Sequence, residues 1–256
     1  LIVGPSHGEA GVWPKVMEDE VPGYEYTTYN GAMNGRTYSV LEFVYSHVYG
    51  PVLRPGCVVL CVSPIVMNRY NEWMERNTAE FFAAPAPRSI RATGLAGAWR
   101  RFLVDHVYLY RYRSRQKHLA HGCVGARRRF DEDGYRANED VYTDEDRVRL
   151  ERPEHPYQHA MKAFEFGGPS AEAFERLLTR LTSEGVPVVV VNMPFRPELL
   201  AISPTGETDY EDYLDNMRRL QERFGFVWLD YQRDLTLSDK HFSDVDHLNS
   251  KAASNN

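Results

Sequence analysis

The chain has no long apolar run and very little cysteine. No stretch of its 256 residues approaches the roughly 18 apolar residues that a membrane-spanning helix requires. Three cysteines are too few for a disulfide framework. Cys57 and Cys61 would stand about 13 Å apart on one strand, too far to bridge. The phosphate-binding patterns G-x-G-x-x-G and G-x-x-x-x-G-K-[ST] are also missing, which disfavours a nucleotide- or phosphate-binding domain.

The composition is typical of a soluble globular domain. Of the residues, 43% are hydrophobic and 26% are charged, and the length suits one well-cored domain or a domain with a large insertion. The sequence begins directly on the apolar residues of "LIVGPSHGEAG", with neither an initiator Met nor a signal peptide. We therefore expect the chain to be part of a longer or processed protein.

Short apolar runs alternate with helical patterns along the two ends of the chain. The run "CVVLCV" at 57–62 is continuous, as in a strand buried on both faces. Apolar residues at helical spacing predict a helix over 36–49 closed by Gly50, a helix capped by Ser170 that ends at Gly185, and a helix through Leu214 and Phe224. Strands are predicted at 1–3, 24–30, 57–62, 186–194 and 226–231. This alternation predicts an α/β fold with a central parallel sheet.

The alternation stops between about 65 and 168, which we interpret as a large, mostly helical insertion. Residues 88–152 hold 14 Arg and one Lys against 10 Asp and Glu, a local charge of +5 against about −11 elsewhere. One interpretation is a basic surface that attracts an anionic substrate or polymer, with Arg127, Arg128 and Arg129 as candidate contacts. The other is a solvated helical cap. No recognised nucleic-acid-binding motif is present, so we expect no nucleic-acid partner.

Three polar loops follow predicted strands, where the ligands of parallel sheets bind. Ser6 follows the first strand, "NGAMNG" at 30–35 follows the second, and "FSDVDHLNS" at 242–250 follows the last. A serine becomes a nucleophile when a base lies within hydrogen-bond reach and a further group orients that base. These three loops therefore predict a site for nucleophilic chemistry.

Asp244 and His247 are the candidate orienting acid and base. An Asp three residues before a His can curl so that its carboxylate meets Nδ1, which leaves Nε2 for Ser6. Asp246 is expected to project differently, and His7 to point away from its neighbour Ser6. The N–H groups of Ser6 and of the glycines in "NGAMNG" are candidate oxyanion donors. The remaining histidines lack a compact ligand pattern, so we expect no metal and no organic cofactor.

These motifs together resemble the SGNH/GDSL hydrolase superfamily. "GPSHGEAG" resembles its first block, with Ser6 as nucleophile, and "YNGAMNG" resembles its second, with Gly35 as the matching donor. "SDVDHLNSKAA" resembles its last block, with Asp244 and His247. The resemblance spans the chain apart from the insertion. It implies a flavodoxin-like three-layer sandwich and a Ser–His–Asp triad.

The third block departs from that superfamily. After "CVVLCV" comes "SPIVMNRYN" in place of Gly-x-Asn-Asp, so Asn68, Asn71 or Ser63 would have to replace the missing donor. Asn68 is our candidate third donor. The departure, "VVVVNMPFRPELL" and "HLNSKAA" are similar to the branch that includes polysaccharide O-acetyltransferases and teichoic-acid D-alanylation proteins. This likeness implies an extracytoplasmic location, a carbohydrate or acylated polymer substrate, and a membrane acyltransferase partner.

Two functions are consistent with these patterns. The first is a serine esterase or O-acyltransferase that works through an acyl-enzyme on Ser6. The second is a catalytically inactive module of the same fold that binds a polymer or scaffolds an assembly. The missing third-block donor favours the second function, and the intact Ser6, Asp244 and His247 favour the first.

Overall fold

The computed structural model describes residues 1–20, 23, 25, 27–84, 87, 91, 131–203 and 205–254. The chain divides into two compact units, one of residues 1–74 and 129–256 and the other of residues 75–128. The predicted insertion at 65–168 is therefore wider than the second unit. Tyr142, Leu150 and Met161 lie within the predicted range and belong to the buried core of the first unit.

The first unit is built on a parallel sheet, which confirms the α/β class. Among the described residues the sheet has four strands in spatial order β1-β2-β3-β4, and every pairing is parallel. The strands are β1 Ile2–Val3, β2 Val58–Val62, β3 Val188–Asn192 and β4 Val227–Asp230. The two central strands consist mainly of valine, whose branched side chains fit a sheet that is covered on both faces.

The predicted strand at 24–30 is wrong in length. Among its described residues, only Asn30 forms a bridge, to Ile2 of β1. The Ile2 N–H donates to the Tyr29 carbonyl at 2.9 Å, and the Gly31 N–H donates to the Ile2 carbonyl at 2.9 Å. Before that point, the Thr28 N–H donates to Glu18 at 2.5 Å. The contact between this segment and β1 is therefore confined to the residues around Asn30.

Helices account for most of the remaining described chain. In chain order they are α1 Ser6–Gly11, α2 Pro14–Glu20, α3 Tyr38–Val44, α4 Gly50–Leu53, α5 Pro64–Met67, α6 Glu72–Ala83, α7 Asp144–Leu150, α8 Pro156–Ala160, α9 Gly168–Ser183, α10 Pro197–Leu200, α11 Gly206–Phe224, α12 Tyr231–Asp234 and α13 Ser250–Ser254. A π-helical turn at Tyr45–Tyr49 joins α3 to α4, and a 3₁₀ turn covers Asp239–His241. None of these described helices is long and apolar enough to cross a membrane.

Two predicted helix boundaries are wrong. Gly50 does not close the helix after 36–49, because its N–H donates to the Tyr45 carbonyl in the π-helical turn and α4 continues to Leu53. Ser170 is not the cap of α9, which already begins at Gly168. The Ser170 hydroxyl instead accepts the N–H of Tyr38 at 3.1 Å, at the start of α3. The Ser170 side chain therefore links α9 to α3, which lies far away in sequence.

The core holds the sheet between packed helices. Tyr38 of α3 meets Phe174 of α9 edge to face, with ring centroids 4.7 Å apart, and both side chains are fully buried. The Tyr38 hydroxyl donates to the Cys61 carbonyl of β2 at 2.7 Å, so the ring is satisfied as well as buried. This packing fixes β2 and its neighbour β1, whose carboxyl end carries Ser6.

Candidate active site

Ser6 is the first residue of α1 and follows β1 after a two-residue turn. The turn passes very close to β2: a Cβ added at Gly4 would lie 2.7 Å from the Cβ of Cys61. Only glycine fits at that distance without displacing one of the two strands. The close approach therefore sets where the nucleophile candidate emerges from the sheet.

The "NGAMNG" loop is hydrogen-bonded to the same turn. The Met33 N–H donates to the Gly4 carbonyl at 2.8 Å, and the Asn34 N–H donates to Oε2 of Glu9 at 2.7 Å. Glu9 is buried on α1, one turn after Ser6, and its other oxygen meets Arg136 at 2.9 Å. Glu9 thus ties the loop that carries Gly35 to the helix that carries Ser6.

We expect Glu9→Gln to lower the free energy of unfolding by about 1–3 kcal/mol, because it removes a buried charge that holds both Arg136 and the Asn34 N–H. Urea unfolding followed by circular dichroism measures the change. Glu172→Gln on the exposed side of α9 is the matched control, with an expected change within about 0.5 kcal/mol. Equal effects of the two variants would contradict this role for Glu9.

The loop 242–250 is anchored from two sides. The Arg196 N–H, just beyond β3, donates to the Val245 carbonyl at 2.8 Å, and the Tyr142 N–H donates to the Phe242 carbonyl at 2.8 Å. Inside the loop, Oδ1 of Asp244 accepts the N–H groups of Asp246 at 3.0 Å and of His247 at 2.9 Å. This side-chain-to-backbone turn curls the loop back on itself. The curl brings the His247 ring over Ser6.

The structure brings Ser6, His247 and Asp244 together. Nε2 of His247 lies 2.6 Å from Oγ of Ser6, and both carboxylate oxygens of Asp244 lie 2.8 Å from Nδ1 of His247. The hydroxyl, the imidazole and the carboxylate therefore form a continuous hydrogen-bonded relay. Such a relay can deprotonate a serine and stabilise the imidazolium that results.

The expectation that Asp246 projects differently is wrong. Its Oδ1 also lies 2.8 Å from Nδ1 of His247 and accepts the hydroxyl of Tyr157 in α8, while its Oδ2 lies 2.8 Å from Nε2 of His7. The His7 ring stacks on the His247 ring, with centroids 5.0 Å apart and planes inclined by 11°. His7 therefore turns to the buried carboxylate rather than to Ser6.

The charges at this cluster shift its proton equilibria. Burial alone would lower the pKa of His247, but the carboxylates of Asp246 and Asp244 outweigh burial and raise this pKa well above its ordinary range. Burial alone would likewise raise the pKa of Asp246, but its interactions with His247 and with the Nε2 atom of His7 hold this pKa well below its usual range. The nearby His155 has a lowered pKa because it is partly buried. The site therefore favours an ionised Asp246 beside a protonated His247.

Two of the three oxyanion candidates are not engaged by an acceptor within the described part of the protein. Among the described residues, neither the Ser6 N–H nor the Gly35 N–H donates to another protein group. Asn68 is the exception: its amide donates to the Ala160 and Ala163 carbonyls, both at 2.7 Å. Because both N–H bonds are used to hold the segment before α9, the prediction of Asn68 as a third donor is wrong.

The other third-block candidates offer no better donor. The Asn71 amide donates to the Ile65 carbonyl at 3.1 Å, and its oxygen caps the N–H of Met74. Ser63 is fully buried, and its hydroxyl has no hydrogen-bond partner among the described residues. The candidate contacts Arg127, Arg128 and Arg129 lie outside the described residues.

Sequence reasoning did not identify Tyr157 or the role of Asp246. Tyr157 lies within the predicted insertion, 89 residues before its carboxylate partner, and no local motif marks it. Asp246 and His7 do leave a signal, since each stands directly beside a residue of the predicted triad. His7, Asp246 and His247 are also the described side chains that lie close enough together for a cation. Their atoms hydrogen-bond one another, so we assign no metal ligands.

Comparison with known proteins found no matching family model and no matching curated protein.

Proposed function

We propose that the chain is an SGNH-like serine esterase or O-acyltransferase that acts on acyl esters. The observation that carries this proposal is the relay from Ser6 through His247 to Asp244, with 2.6 Å and 2.8 Å between successive atoms. A hydroxyl, an imidazole and a carboxylate in that order are the groups that acyl transfer through a serine requires.

In the proposed reaction His247 moves protons at Nε2. Oγ of Ser6 bonds to the acyl carbon while its proton passes to Nε2. The bond between the acyl carbon and the alcohol oxygen then breaks, and that oxygen takes the proton. Water or a sugar hydroxyl attacks the acyl-enzyme in the second half, gives its proton to His247, and restores Ser6. The N–H groups of Ser6 and Gly35 are the proposed donors to the oxyanion.

The sheet topology supports the proposed flavodoxin-like, three-layer arrangement. The bridge at Asn30 adds a rudimentary strand outside β1. Counted with that segment, the spatial order is second, first, third, fourth and fifth in sequence, which is the flavodoxin-like order. Ser6 then follows the first strand at the point where it lies beside the third strand in sequence, β2. The strand order reverses between these two strands, and ligands of such sheets bind at that point.

A fluorophosphonate probe tests the proposed function. We expect covalent labelling at Ser6, detected by mass spectrometry, because only an activated serine attacks the phosphorus. A folded protein that remains unlabelled would favour the second candidate, a catalytically inactive module that binds a polymer. The observation in favour of this alternative is that Asn68 is committed to backbone carbonyls.

The proposed substrate is an acylated carbohydrate polymer. A membrane acyltransferase partner and an extracytoplasmic location remain predictions of the same resemblance.

We expect charge reversal at Arg127, Arg128 and Arg129 to weaken binding of an anionic polysaccharide several-fold at low salt. The effect should be smaller at 1 M salt, where the Debye length is about 3 Å. Binding is measured by calorimetry at both salt concentrations. Turnover of a neutral small ester should be unchanged, and unchanged polymer binding would contradict the prediction.

A further inference from the structure

Asp246 is the most buried charged group near Ser6. Its side chain is 2% exposed, whereas that of Asp244 is 44% exposed. Three donors surround its carboxylate, namely Nε2 of His7, Nδ1 of His247 and the hydroxyl of Tyr157. A carboxylate held from three sides has one position, and away from water its charge acts on His247 with little screening.

Asp244 also shapes the backbone of the loop 242–250. Its Oδ1 accepts two backbone N–H groups, those of Asp246 and His247, and this curls the loop. Its charge is also nearly half open to solvent, where water and salt weaken its attraction for an imidazolium. Since His247 has one proton at Nδ1, the two carboxylates compete for it.

His7 and Tyr157 hydrogen-bond to Asp246 and not to Ser6. The Nδ1 atom of His7 is buried without a hydrogen-bond partner among the described residues, so Nε2 makes the ring's polar contact. Stacking against His247 fixes the plane of the His7 ring. Tyr157 reaches Asp246 from α8, and its buried hydroxyl has a raised pKa because of burial and the nearby Asp246 charge, so it remains a donor.

We propose that Asp246 is the positioning carboxylate that orients His247 and stabilises its charged form, that His7 and Tyr157 are positioning residues for Asp246, and that Asp244 mainly shapes the loop. The proposal rests on the proposed function, because it assigns roles within the same site. It differs from the simple Asp-x-x-His assignment by giving the main electrostatic role to the residue that directly precedes the histidine.

The experiment compares Asp246→Asn with Asp244→Asn in two measurements. The first is turnover of p-nitrophenyl acetate, and the second is the pKa of His247 from titration of ¹⁵N-labelled histidine by NMR. Asp246→Asn should lower kcat about 10³-fold with little change in KM, and Asp244→Asn should lower it about tenfold. The pKa of His247 should fall by about one pH unit or more in Asp246→Asn and by less in Asp244→Asn. The titratable groups in contact with His247 are Asp244, Asp246 and His7. Tyr157 contacts Asp246, and His155 interacts electrostatically with both carboxylates.

Milder variants keep the proposal testable if Asp246→Asn fails to fold. Tyr157→Phe should lower kcat several-fold and shift the pKa of His247, since the Asp246 carboxylate loses one of its three hydrogen-bond donors. Tyr142→Phe is the matched control, because the buried Tyr142 hydroxyl has no partner among the described residues, and it should change neither value. His7→Gln, which keeps an N–H at similar reach, should retain more activity than His7→Ala.

Either measurement can overturn the proposal. A larger loss of kcat, or a larger fall in the pKa of His247, in Asp244→Asn than in Asp246→Asn would assign the main role to Asp244. If the wild-type protein turns over no ester, the proposed function fails, and the NMR titration alone then decides which carboxylate governs His247.

Discussion

Replacement of Ser6 by Ala is expected to lower turnover of a small acyl ester by about 10⁴-fold or more, and replacement of His247 by Ala by a similar factor. The reason is that Oγ of Ser6 and Nε2 of His247, 2.6 Å apart, form one reacting unit: without the base the hydroxyl stays protonated, and without the hydroxyl the base has no proton to take. The double variant should therefore lose little more than either single variant. Initial rates with p-nitrophenyl acetate measure all three.

Two exposed positions supply the controls for this prediction. Ser183→Ala changes a hydroxyl at the end of α9 that donates to the Arg180 carbonyl, and His47→Ala changes an exposed ring in the π-helical turn. Neither should alter turnover by more than about twofold. Ester hydrolysis that persists in Ser6→Ala would place the chemistry at another site. Additive losses in the double variant would show that the two groups act independently.

The rate of fluorophosphonate labelling at Ser6 should rise between pH 6 and pH 8 and should level off at a higher pH than an ordinary histidine would allow. The reason is that the carboxylates of Asp246 and Asp244 raise the pKa of His247 well above its ordinary value of about 6.5. Only the neutral ring accepts the Ser6 proton, and its fraction grows about tenfold per pH unit below the pKa. Mass spectrometry at fixed reaction times measures the rate. A labelling rate that does not change between pH 6 and pH 8 would contradict this prediction.

The same ionisation makes stability depend on pH with the opposite sign. A histidine whose pKa is raised on folding stabilises the folded state fully below its unfolded pKa of about 6.5, and this contribution is lost as the pH rises through the folded pKa. The urea midpoint of the wild type should therefore fall from pH 6 towards alkaline pH more steeply than that of His247→Ala. Labelling and stability thus change in opposite directions because they require opposite protonation states of one ring.

Much of the site could be predicted because its residues follow strands. Ser6 follows β1 and the loop 242–250 comes after β4, so both were expected on the side of the sheet where the parallel strands end, which is where the structure places them. The Asp-x-x-His spacing also allowed Asp244 to reach Nδ1 within a single loop. These are local or topological constraints, and they depend on few long-range contacts.

Other features could not be predicted because they depend on partners that only folding supplies. Asn68 lies near the expected third block, but its amide donates both N–H groups to backbone carbonyls of the segment before α9. The second predicted strand is reduced to a bridge at Asn30, and the nearby Thr28 N–H donates to Glu18 of α2. In both cases a polar group has several possible partners in sequence and one in space, and burial decides between them.

The residue pattern alone predicts a parallel α/β sheet with Ser6, Asp244 and His247 beyond the carboxyl ends of its strands. Alternating apolar runs and strand-end loops are encoded over a few residues, so their pattern can be read directly. The burial of Asp246 beside His247 could not be predicted from that pattern. That burial requires His7, 239 residues away, and Tyr157, 89 residues away, to enclose one carboxylate. Whether a charge is screened by water or held in a dry cluster depends on such long-range packing, and no local spacing records it.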